Sequence, residues 1–72
     1  MKIEAAATGC WKLAGPNLPE GLVSVRLGPN LRWQAALQDK LGVERAATAF
    51  SFPTAREAVG AGFELYRNHM IT

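Results

Sequence analysis

The chain has little of what catalysis or a bound metal requires. One cysteine and one histidine occur among its 72 residues. A single cysteine excludes an internal disulfide, and Cys10 and His69 are too far apart to form a pair with metal-ligand spacing. No structural metal or cofactor is therefore expected. A lone cysteine also suits a reducing interior, so a cytoplasmic location is expected. No stretch approaches the roughly 20 consecutive apolar residues that cross a bilayer, so no membrane partner is expected. The opening "MKIEAAATGCWKL" is interrupted by Glu4 and has no long apolar run, so it does not read as a signal peptide. The six carboxylates are scattered and unpaired. No glycine pattern follows a strand in a way that would cradle phosphate. Together these absences lead to the expectation that the protein is not an enzyme.

Large apolar residues are also few. Hydrophobic residues make up 49% of the chain, but much of that is alanine. Ile3, Trp11, Leu13, Leu22, Val23, Val25, Leu27, Trp33, Leu37, Phe50, Phe52, Val59, Phe63, Leu65 and Tyr66 suffice for one two-layer core. Residues 1–72 read as a single domain. A chain of this size buries only about 60% of its unfolded surface. With disulfide and metal excluded, the remaining sources of extra stability are a bound partner or a homodimer. The net charge of +2 favours an acidic partner mildly.

The tetrapeptide "GPNL" occurs twice, at 15–18 and 28–31. Its flanks differ, so it marks two similar turns rather than a repeat. Residues 2–13 are ambiguous between helix and strand. The strand is favoured, bulged near Gly9, with residues 14–21 as a loop carrying two prolines. "GLVSVRLG" alternates β-branched and polar residues between glycines, which predicts a strand. "LRWQAALQ" fits both periods. As a helix, Trp33, Leu37 and Leu41 share a face, with Asn30 as cap and Gly42 ending it. As a strand it pairs with the alternating "VERAATAFSF" in a hairpin that Asp39 opens and Gly42 closes. The strand is favoured for residues 32–38, and Ala46, Thr48, Phe50 and Phe52 are expected on one face of its partner.

The C-terminal third predicts a helix. Thr54 and Glu57 form a capping box, with the hydroxyl taking the Glu57 N–H and the carboxylate reaching the Thr54 N–H. Ala55, Ala58, Val59, Gly62, Phe63, Tyr66 and Met70 recur at helical spacing. His69 falls in the last turn, where a positive charge would meet the helix C-terminus favourably. Gly62 lies on the packed stripe and would let the helix close against a strand.

The expected fold is α+β, a small antiparallel β-meander of three to four strands with one C-terminal α-helix packed on one face. The uncovered face would carry Arg26, Arg32, Gln34, Gln38 and Arg45 among alanines and serines. Arginine and glutamine can read base edges bidentately, and these five residues are the candidate binding site. An antiparallel sheet also exposes a polar face simply because water covers it. The alanine content of this face, low in the usual Thr, Lys and Glu, argues for close approach of a partner or a second copy.

Across residues 32–62 the chain resembles the ethylene-response-factor type DNA-binding domain and the arm-binding domain of tyrosine integrases. The resemblance rests on Trp33, on Phe50 and Phe52, and on Thr54–Glu57–Ala58 opening an alanine-rich helix. It implies DNA contacts on the strands, at Arg26, Arg32, Gln34 and Arg45. DNA or another nucleic acid is the first partner expected. The second is a host protein, bound and inhibited by a small phage or mobile-element protein with an anti-CRISPR-like anti-defence role. That reading rests on size and on a flat exposed surface. A third is a homodimer on single-stranded nucleic acid, with Trp11 as a stacking platform. Core packing is the favoured role of Trp11.

Overall fold

A computed structural model describes residues 2–71. Five strands form one antiparallel sheet in sequence order: β1 (Lys2–Ala7), β2 (Cys10–Gly15), β3 (Leu18–Leu27), β4 (Trp33–Asp39) and β5 (Glu44–Ala47). One helix, α1 (Ala55–Tyr66), follows, and Arg67–Ile71 extends it as a π-helical turn. The α+β meander with one C-terminal helix is as expected. The strand count is five rather than three to four.

The extra strand comes from Gly9. Residues 2–13 are a hairpin, not one bulged strand. Gly9 takes a left-handed φ of 76°, which lets Thr8 and Gly9 reverse the chain within two residues. Its carbonyl then accepts from Val25 N at 2.9 Å. The expected 14–21 loop is likewise a tight turn. Asn17 sits at φ 63°, and β3 begins at Leu18. Pro19 is tolerated inside β3 because β4 pairs only from Gly21 onward, so its missing N–H leaves no ladder bond unmade on that side. The second "GPNL" is a 3-10 turn, Pro29–Leu31, with Asn30 again left-handed. The helical alternative for "LRWQAALQ" is overturned, since β4 pairs with β3 over its whole length. Asp39 and Gly42 shape the β4–β5 turn as expected. The Asp39 Oδ1 accepts from Leu41 N and Val43 N, and Gly42 is left-handed.

The helix lies over β3 and β4 and barely touches β5. Leu13, Val23, Leu37 and Tyr66 form the buried cluster, with Trp11 and Phe63 packed against it. Two glycines set the spacing. A Cβ on Gly62 would lie 2.4 Å from Val23 Cγ1, and a Cβ on Gly21 would lie 2.7 Å from the Tyr66 ring. Helix and sheet therefore close on each other through reciprocal gaps, and the Tyr66 hydroxyl donates to the Pro19 carbonyl at 2.6 Å.

The capping box differs from expectation in one bond. Glu57 N donates to Thr54 Oγ1, but the Glu57 carboxylate accepts from the Thr54 hydroxyl rather than from its backbone N–H. Three expected core residues are exposed: Ile3, Leu27 and Phe50. Ile3 lies on β1, which extends beyond the helix. Phe50 is displaced because β5 ends at Ala47. The chain rejoins the sheet only at Phe52, through a bridge to Trp33, so residues 49–51 leave the alternation.

Candidate functional site

Strand register defines the face away from the helix. Ser24 opposes Ala36, Arg26 opposes Gln34, and Leu22 opposes Gln38. Across β4, Gln38 opposes Glu44 and Ala36 opposes Ala47. The short side chains of Ser24, Ala36 and Ala47 form a floor between the longer Arg26, Gln34, Gln38 and Glu44. The result is a shallow depression of about 230 Å³. Arg26, Gln34 and Gln38 thus come together as the sequence suggests. Arg26 makes no side-chain hydrogen bond or ion pair with the described residues, and it is exposed.

Arg32 and Arg45 are placed elsewhere. Arg32 precedes β4, and its Nε and Nη2 donate to Ser51 Oγ and Ser51 O, both at 2.9 Å. Arg45 falls at an irregularity where Leu37 opposes Ala46 and Gln38 opposes Glu44, so it is the residue without a partner in β4. Its guanidinium meets Asp39 at 3.6 Å, at the hairpin end. Ala49 and Ser51, which continue the alternation of "VERAATAFSF", lie beyond the end of β5 and outside this face. Trp11 opposes Val23 on the helix side and packs against the core.

The three-dimensional distribution of charge is uneven. Gly62 sits over Val23, and Tyr66 over Gly21, so the helix runs antiparallel to β3. Arg56 lies six residues before Gly62, about 9 Å along the helix at 1.5 Å per residue. Arg26 lies three residues beyond Val23, about 10 Å along the strand. Both arginines therefore reach the same end of the domain, Arg26 on the open side and Arg56 on the helix side. Arg32 stands between them at the 3-10 turn. Among the described residues the carboxylate at this end is Glu57, engaged in the helix cap, and Glu44 lies farther along the open-face depression that holds Arg26.

Toward the other end the described charges cancel. Lys2 pairs with Glu4, Lys12 with Glu20, Arg45 with Asp39 and Arg67 with Glu64. Lys40 and Glu44 add one charge of each sign without pairing among the described residues, Glu44 lining the same depression as Arg26. The Glu4 carboxyl is held below its ordinary value by its hydrogen bond to Lys2, and the Lys12 ammonium is held above its own by Glu20. The entire side-chain excess of +2 is therefore at the β3–β4 end. Sequence reasoning missed Arg56, which reads there as an ordinary solvated helix residue. Its only signal would have been a correct helix direction.

Among the described residues no cluster of His, Cys, Asp and Glu could hold a metal, and no helix is long and apolar enough to cross a membrane. Comparison with protein families, with curated proteins and with solved structures yields no match to this chain.

Proposed function

We propose that the protein is a non-enzymatic nucleic-acid-binding module, with the arginine-bearing β3–β4 end as its contact surface. The observation that carries this reading is the segregation of charge. A modest net charge becomes a concentrated one when four of the five other basic side chains, Lys2, Lys12, Arg45 and Arg67, are ion-paired. Arg26, Arg32 and Arg56 are the phosphate contacts. Gln34, beside Arg26, supplies donors and acceptors for base edges. This end includes the residues on which the resemblance to the ethylene-response-factor type domain rests, and DNA is the first substrate class to test.

Three phosphate contacts give a log–log salt slope of about −2.7, so affinity should fall roughly 40-fold between 50 and 200 mM salt. Fluorescence anisotropy with a labelled 20-base-pair duplex measures this. Arg26→Gln should flatten the slope by about one unit. Absence of binding at 50 mM salt would remove the reading.

Glu44 in the floor depression supports a second reading, because a carboxylate there opposes a polyanion and suits a protein partner. A host protein as target predicts binding with weak salt dependence. For association of two copies, β1 supplies the free edge, exposed along its whole length and paired on one side only.

A further inference from the structure

The β3–β4 end has a second feature that phosphate contacts leave unexplained. Leu31 and Phe50 project there with 77% and 76% of their surface exposed. Neither is on a loose segment. Leu31 and the preceding Asn30 both hold left-handed backbone, at φ 56° and 64°. For leucine this conformation is disfavoured. The turn is nonetheless closed by Gly28 N donating to the Arg32 carbonyl at 2.7 Å. Phe50 precedes Ser51, which Arg32 grips twice, and Phe52, which is bound to Trp33 in both directions at 2.7 and 2.8 Å. The Arg32–Ser51 bonds join the residue after Leu31 to the residue after Phe50. The backbone at both residues is thus tethered through its neighbours, and both apolar side chains are presented to solvent.

Exposed apolar residues also occur at the opposite end, where Leu41 is 79% exposed. That end is charge-balanced. Among the described residues it is at the β3–β4 end that exposed apolar side chains on tethered backbone coincide with arginines lacking an ion pair, on the open side (Arg26), on the helix side (Arg56) and at the turn (Arg32).

From this juxtaposition we propose that Leu31 and Phe50 form an apolar wedge that engages unstacked bases of a nucleic acid, while the three arginines hold the flanking phosphates. The proposal rests on the nucleic-acid reading above and adds its substrate class: duplexes with a weakened or interrupted stack. Apolar side chains inserted at a base step characterise proteins that kink duplexes, and aromatic rings stack on bases irrespective of sequence. An anionic lipid surface would also accept arginines beside apolar side chains. Gln34, opposite Arg26 and close to Gly28 of the turn, favours bases, whose edges use hydrogen-bonding groups that acyl chains do not.

The test uses three probes at 50 mM salt: a 20-base-pair duplex, the same duplex with a one-nucleotide bulge flanked by 2-aminopurine, and phosphatidylserine vesicles. Wild-type protein should bind the bulged duplex about ten-fold tighter than the plain one and raise 2-aminopurine fluorescence. Phe50→Ser and Leu31→Ser, both at exposed positions, should lose that preference and keep the salt slope, with unchanged circular dichroism. Equal binding of the two duplexes by the wild type, or variants that retain the preference, would overturn the wedge and leave the nucleic-acid reading standing. Absence of binding to either duplex would overturn both. Phe50-dependent binding to vesicles without duplex binding would assign this end to a membrane surface instead.

Discussion

Two glycines two positions apart on α1, Gly60 and Gly62, should respond oppositely to the same substitution. Alanine at an interior helical position is favoured over glycine by about 1 kcal/mol. At Gly60 a Cβ would meet nothing within 4 Å, and the position is exposed, so Gly60→Ala should realise that gain. At Gly62 the new Cβ would lie 2.4 Å from Val23 Cγ1 and 3.2 Å from Ala35 Cβ. Ordinary carbon–carbon contact is about 3.5–4.0 Å, so more than about 1 Å must be found. Val23 cannot retreat into solvent because it is fully buried against Leu13, Leu37 and Tyr66. The helix must lift or Val23 must leave its rotamer, and overpacking of this kind costs about 1–3 kcal/mol. Propensity cancels in the comparison. The gap between the two variants is then the overpacking cost alone, and each kcal/mol corresponds to roughly 4–8 °C in Tm for a domain of this size. Thermal melts followed by circular dichroism, with urea midpoints as a second measure, give both shifts. A double-mutant cycle with Val23→Ala should show a coupling of at least about 1 kcal/mol, because removing Cγ1 removes the obstacle. If Gly60→Ala and Gly62→Ala raise stability equally, the helix is not seated on Val23 and the placement of Arg56 derived from that seating fails with it.

Tyr66→Phe removes the bond to the Pro19 carbonyl and should cost about 1 kcal/mol in urea unfolding. Burial also raises the Tyr66 phenol above its ordinary value. The unfolded chain therefore loses this proton first, near pH 10, and stability should fall as pH rises from there toward the folded value. Tyr66→Phe should flatten that decline, and an unchanged alkaline limb would count against the buried phenol. Leu31→Asn should raise Tm, since asparagine accepts left-handed backbone more readily, while weakening the preference for the bulged duplex. Loss of stability would show that the exposed leucine supports the fold. Asp39→Ala should lower the urea midpoint by the equivalent of about 1 kcal/mol, as it removes the acceptor for Leu41 N and Val43 N in an exposed turn. Asp39→Asn should restore most of it, because an amide oxygen still accepts.

Elements whose signal is local were legible in the order of residues. Alternation across Leu22–Leu27 and Trp33–Leu37 fixed which residues share a face, because side chains on a strand point to opposite sides at every step. Thr54 and Glu57 located the helix start, and the helical stripe located Gly62 as a packing position. The brevity of the first turn was less legible. Gly9 serves equally as a bulge or as a two-residue reversal, and the choice depends on β2 finding β3. Phe50 misled because alternation assumes a continuous strand, whereas β5 ends at Ala47 and the chain reconnects at Phe52.

The grouping of arginines at the β3–β4 end depends on the packing of the helix. Along the chain, Arg26 and Arg32 already share an acid-free stretch between Glu20 and Asp39, whereas Arg56 is distant and adjoins Glu57. Strand order and register bring Lys12 to Glu20, and the hairpin brings Arg45 to Asp39. Helix direction carries Arg56 to the end of the sheet where Arg26 and Arg32 stand. Charge acts through space within about a Debye length of 8–10 Å. The gathering of Arg56 with Arg26 and Arg32 is therefore a property of the packed chain and not of its sequence order.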